Sequence, residues 1–117
     1  AAVQDLERLY GPGTATQVRV VKGLIAAKKK DFAAAKELLE PVAEEALKEK
    51  STAPQNALAY SQAFYALGQA KEGEGDFTGA LEDYLRTVTL FWHDPAAASA
   101  AKERADALRR DKKVAVP

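Results

Sequence analysis

The residues best equipped for chemistry in this chain are in "FWHDP", where the single histidine, His93, stands beside the carboxylate of Asp94. A histidine next to an aspartate is the start of a general base. Here the rest of a catalytic set is missing: no serine sits in a recognisable nucleophile motif, and the chain has no cysteine. The simpler role for Asp94 is to cap a helix that begins at Pro95. One histidine and no cysteine also fall short of a structural zinc site. Paired carboxylates occur in "AEEAL" and "LEDY", but both lie on amphipathic helical patterns, where such pairs form the solvated face. "YGPG" and "GEGD" lack the lysine–threonine ending and the preceding strand of a phosphate loop. This inventory predicts a chain that is not an enzyme and holds no cofactor and no metal.

Two basic runs bear on partners. Lys28, Lys29 and Lys30 close one predicted helix, and Arg109, Arg110, Lys112 and Lys113 close another, where cations suit the negative end of the helix dipole. Acidic residues lie close to both runs. Lysine plus arginine equals aspartate plus glutamate at 17 each, so no global field favours nucleic acid. At 117 residues, 47% hydrophobic and 29% charged, the chain reads as one ordinary globular domain. No apolar run approaches the ~20 residues of a membrane helix, so no membrane insertion is expected. No signal peptide pattern is visible, and the chain begins Ala-Ala with no methionine anywhere. It reads as a mature or trimmed portion of something longer, with a bacterial exported or a cytoplasmic location both open.

The elements that must position these residues show a repeat. "KKKDFAAAKELL" and "GEGDFTGALEDYL" align at an offset of 45 residues: Gly23 on Gly68, Asp31 on Asp76, Phe32 on Phe77, Ala35 on Ala80, Leu39 on Tyr84. Each copy predicts a helix, a turn, a capping aspartate and a second helix. In the first copy the opening helix follows "GPG", with Thr14 and Gln17 at capping-box spacing and Val18, Val21, Leu24 and Ile25 as its apolar stripe. The second helix carries Ala35, Leu38, Leu39, Val42, Ala43, Ala46 and Leu47, interrupted by Pro41, which predicts a bend. In the second copy, a helix from Pro54 carries Ala57, Tyr60, Phe64, Leu67 and Lys71. Its partner carries Ala80, Leu81, Tyr84, Leu85, Val88, Phe91 and Trp92. A final helix with Ala97, Ala101, Ala105 and Leu108 inward closes the stack. "DLERLY" near the start is a short helix or the end of a longer one. No segment alternates with period two for long enough to be a strand, and the fold class is all-α.

These residues resemble the tetratricopeptide repeat family. "FYALGQAK" supplies Phe64, Leu67 and Gly68 at the family's spacing, and "GDFTGALEDYL" supplies Gly75, Asp76, Phe77, Ala80 and Tyr84. The first copy departs at Arg19 and Lys22, where an aromatic and a leucine are the pattern, and Lys71 replaces the usual tyrosine. The interval of 45 residues also exceeds the family's period of about 34. The resemblance implies antiparallel helix pairs stacked as a short solenoid: a first pair over 14–50, a second over 54–93 and a capping helix over 95–110. It further implies a groove, lined by the first helix of each pair, that holds a segment of a partner protein. The groove positions are Gln17, Val20, Leu24 and Lys28 in the first copy, and Gln62, Tyr65, Gln69 and Glu72 in the second. A protein or peptide partner, or another copy of the chain, would dock there. The alternative at this point is a spacer repeat of a larger, cell-envelope protein, with those positions packed against neighbouring helices.

Overall fold

Each Asp-Phe-x-x-Ala signature lies at a joint between two helices, and the two joints are built alike. The computed structural model describes residues 13–48, 54–112 and 114. These form α1 (Gly13–Lys28), α2 (Phe32–Lys48), α3 (Pro54–Gly73), α4 (Phe77–Thr89) and α5 (Pro95–Ala107), which runs on into a π-helical turn, Leu108–Lys112. After α1, the Asp31 N–H donates to the Ala26 carbonyl at 2.9 Å and the Lys30 N–H to Ala27 at 3.1 Å. After α3, the Asp76 N–H donates to Lys71 at 2.8 Å and Gly75 to Glu72 at 3.1 Å. This is the Schellman closure of a helix end, which requires a left-handed residue. Gly75 supplies it with φ 87°, and Lys30 adopts it at φ 63° despite its side chain. The next residue caps the following helix: Asp76 Oδ1 accepts from Gly79 N at 3.0 Å, and Asp31 Oδ1 from Ala34 N at 3.3 Å. Terminator and initiator are therefore adjacent residues, and the chain reverses within three or four positions.

The reversal packs each pair antiparallel. A Cβ on Gly23 would collide with Leu39, and one on Gly68 would lie 2.6 Å from the Tyr84 ring, so the two glycines mark the same close approach in both copies. Farther from the turn, Thr16 reaches Glu45 and the Tyr60 ring meets Phe91 at 5.7 Å. α1, α3 and α5 lie side by side in that order, with α2 against α1 and α3, and α4 against α3 and α5. α3 and α5 run parallel, because Gln62 bonds Asp94 and Glu72 bonds Arg104, each 32 residues apart.

The core is in two parts joined by α3. One gathers Val20 of α1, Ala35, Leu39, Val42, Ala43 and Ala46 of α2, and Ala59, Tyr60, Ala63, Phe64, Ala66, Leu67 and Ala70 of α3. The other joins Ala80, Leu81 and Tyr84 of α4 to Ala101, Ala105 and Leu108. The all-helical expectation holds for the described residues, which contain no strand. None of their helices is long and apolar enough to cross a membrane.

Several details differ from expectation. α1 is rotated: Val20 is buried and Leu24 packs on the core, whereas Val21 and Ile25 are 53% and 48% exposed. The helix carries apolar residues on two adjacent stripes, and among the described residues the core is built on the one facing α2 and α3. Thr14 lies within α1, which includes Gly13. α4 ends at Thr89, because the Leu90 and Phe91 N–H groups both bond the Arg86 carbonyl at 2.9 and 3.0 Å. Phe91 nevertheless stacks on Phe64, with centroids 5.0 Å apart, whereas Trp92 and Leu47 are exposed. α2 continues through Pro41, which faces solvent where the freed carbonyl can be hydrated. "DLERLY" lies outside the described residues.

Candidate partner-binding groove

Five of the eight expected groove positions line two separate hollows, Gln17, Val20 and Gln62 in one and Gln69 and Glu72 in the other, whereas Leu24, Lys28 and Tyr65 line neither. The first, of about 230 Å³, lies between α1 and α3 and is lined by Gln17, Val20, Val21, Leu58, Ala59 and Gln62. Gln17 and Gln62 are equivalent across the repeat offset. Between them the half-exposed Val21 and Leu58 form an apolar rim above buried Val20. Val20 is thus floor rather than contact surface, at 1% exposure. Leu24 is half-buried against the core, and Lys28 is exposed at the end of α1.

The second hollow, of about 290 Å³, lies at the junction of α3, α4 and α5 and is lined by Gln69, Glu72, Gly73, Tyr84 and Arg104. It is polar and internally engaged. The Glu72 carboxylate accepts from the Tyr84 hydroxyl at 2.8 Å and from Arg104 Nε at 3.2 Å, with a further short contact to Arg104 Nη2. Burial, and then the Glu72 carboxylate beside it, hold the Tyr84 hydroxyl far above its ordinary pKa, so it remains a donor. Tyr65 is half-buried with its ring 5.8 Å from Tyr84, and its hydroxyl accepts from Gln69 Nε2 at 3.2 Å. Burial also raises the Tyr65 pKa. Gln62 donates to Asp94 Oδ2 at 3.2 Å.

The four positions taken from the second copy are therefore committed to contacts inside the chain. Those from the first copy are not uniformly exposed, because α1 is rotated. Val21, Leu58 and Ala59 complete the first hollow and Gly73, Tyr84 and Arg104 the second; of these, Val21 and Tyr84 were expected as core residues and the other four had not stood out in the sequence. Leu58 had a detectable signal, an apolar residue off the stripe of α3. The Tyr84–Glu72–Arg104 network joins residues 12 and 32 positions apart that individually read as filler and solvated charge.

The other chemical candidates resolve into structure. Asp94 Oδ1 accepts from Ala96 N and Ala97 N at 3.1 and 3.3 Å, capping α5, and Oδ2 meets Gln62. His93 is exposed and stacks on Trp92, with centroids 4.7 Å apart. The chain end bearing Arg109, Arg110 and Lys112 is threaded with acidic partners. Arg110 pairs with Asp111 at 3.1 Å, Arg109 lies 3.8 Å from Asp106, and Lys112 rests over the Phe77 ring. Among the described residues, no three histidine, cysteine, aspartate or glutamate side chains converge to hold a metal ion. No family model matches the chain, and no match is found among curated proteins or solved structures.

Proposed function

We propose that this chain is a non-catalytic interaction module that holds an extended segment of a partner protein in the hollow between α1 and α3. The observation that carries the reading is the pairing of Val21 and Leu58 as an apolar rim between two amides, Gln17 and Gln62, at equivalent repeat positions. Such a surface accepts one apolar side chain of a partner while the exposed Gln17 amide, and the Gln62 carbonyl left over from the bond to Asp94, bond its backbone. The likeness to tetratricopeptide repeats supports this reading: antiparallel pairs, first helices in one layer, and a glycine at each close approach. The 32-residue register between α3 and α5 is near that family's period of about 34 residues.

The test is selection from a random peptide library by wild type and by Leu58→Asp, followed by mapping of the selected peptides on backbone amide resonances. Peptides enriched by wild type alone that perturb Gln17, Val21 and Gln62 are expected. Enrichment indifferent to Leu58→Asp, or perturbation confined to other faces, would reject the groove. A spacer domain with no specific ligand is the second reading. It is favoured by the internal satisfaction of Gln62, Gln69 and Glu72, and failure to enrich any peptide would favour it.

A further inference from the structure

One amide at the rim of the α1–α3 hollow has its orientation dictated by chemistry. Gln62 lines the hollow, and its side chain also reaches Asp94, which caps α5 beyond it. An ionised carboxylate carries only acceptors, so the Gln62 atom 3.2 Å from Asp94 Oδ2 must be the amide nitrogen. The carbonyl oxygen Oε1, on the other arm of the planar amide, is then the acceptor left for the hollow.

Asp94 is itself held in place. Its Oδ1 accepts from the Ala96 and Ala97 N–H groups, and its own N–H donates to buried Ser61 Oγ at 3.4 Å. Ser61 also contacts the Phe91 carbonyl, and the Phe91 ring stacks on Phe64, so the connector before α5 is pinned to α3. Gln62 and Asp94 are both half-buried, where a charge-assisted bond is screened less than at the open surface.

We infer that Asp94 fixes the polarity of recognition in this hollow, so that a partner segment seated there must offer an N–H donor to Gln62 Oε1. An ordinary peptide N–H satisfies this. Proline at that position has no N–H and would leave the oxygen covered and unpaired. The inference rests on the groove reading and adds to it the chemical face that the partner shows. Asp94 is a positioning residue, acting through Gln62. Gln17 on the opposite rim is exposed, and an exposed amide can present either atom.

Asp94→Asn would invert the polarity. The asparagine Oδ1 must keep accepting from the Ala96 and Ala97 N–H groups, and asparagine caps helices as well as aspartate does. Its Nδ2 would then face Gln62, where two amide nitrogens repel, and the Gln62 amide would turn over. Oε1 would accept from the asparagine, and Nε2 would become the group offered to the hollow.

The experiment takes a peptide enriched by the wild-type chain and replaces each backbone N–H in turn with an ester oxygen. At one position the ester is expected to weaken binding to wild type about three- to tenfold, and binding to Asp94→Asn less than about twofold. Comparing the two proteins at one position cancels the ester's weaker carbonyl. Equal losses in both, or no sensitive position, would overturn the inference and leave the groove reading standing. If no peptide is enriched, both fall. A second readout needs neither peptide nor variant. In the free chain, hydrogen exchange at Gln62 Nε2 is expected to be at least about threefold slower than at Gln17 Nε2. Equal exchange would show that Asp94 does not hold the amide, and would overturn the inference by itself.

Discussion

Lys30 and Gly75 do the same job with different side chains, and the difference can be measured. Both terminate a helix in the left-handed region, at φ 63° and 87°, but only glycine does so without a Cβ penalty. Lys30→Gly is expected to stabilise the chain by about 0.5–1 kcal/mol, and Gly75→Ala to destabilise it by a similar amount. No heavy atom lies within 4 Å of a Cβ built on Gly75, so the effect there isolates backbone conformation from packing. Urea unfolding of the two variants checks both signs. Gly68 is the opposite case. Its backbone is ordinary helix, and the Tyr84 ring occupies the space a methyl would need. Gly68→Ala is expected to cost about 1–3 kcal/mol through overpacking, despite alanine's better helix propensity. A stabilised Gly68→Ala variant would mean that the ring yields easily and that the close approach is not required.

At the scale of the helices, Asp83 shows how α3 and α4 are held. It is buried, with Lys71 Nζ 2.7 Å away and Arg86 Nη1 at 3.3 Å. Burial pushes the Asp83 carboxyl above the usual carboxylate range, against the pull of Lys71 and Arg86. Because the folded chain then holds this proton more tightly than the unfolded chain, the associated stability is present below the unfolded pKa. It is lost as pH rises through the raised folded value. Asp83→Asn, fixed in the neutral state, is expected to match wild type at about pH 3 and to equal or exceed it near pH 7. Denaturant midpoints at the two pH values decide. A variant weakened only at neutral pH would show that the Lys71 pair outweighs desolvation. Such pairs also explain what the sequence does and does not reveal. The turns were legible, because terminator and cap are adjacent residues whose chemistry is local. So were α2, α4 and α5, whose apolar residues fall on a single stripe. α1 was not, since Val20 and Leu24 compete with Val21 and Ile25, and the choice depends on which neighbours exist. The two hollows were legible only in part for the same reason. Gln17 and Gln62 stood among the positions that the family resemblance implied, but the capture of Glu72 by Tyr84 and Arg104 depends on contacts between distant segments.

At the scale of the molecule, α3 is the shared wall of two cores, and among the described residues each helix touches only those one or two places away in sequence. The half made by α1, α2 and α3 holds much of its apolar surface without α5, whose buried side is mainly alanine. Hydrogen exchange is therefore expected to show earlier opening of α5 and its terminal turn than of α3, because an alanine face contributes less burial than aromatic and leucine side chains. Uniform protection across α3 and α5 would instead indicate one indivisible unit. The same neighbour-only wiring bears on how the chain acquires its shape during synthesis. Short-range contacts need little loop closure and form fast, within milliseconds for helical domains of low contact order. A ribosome adding about 5–20 residues per second is far slower. α1 can thus dock on α2, and both on α3, while the last helix has yet to be translated, and the exposed interval of the nascent chain is short.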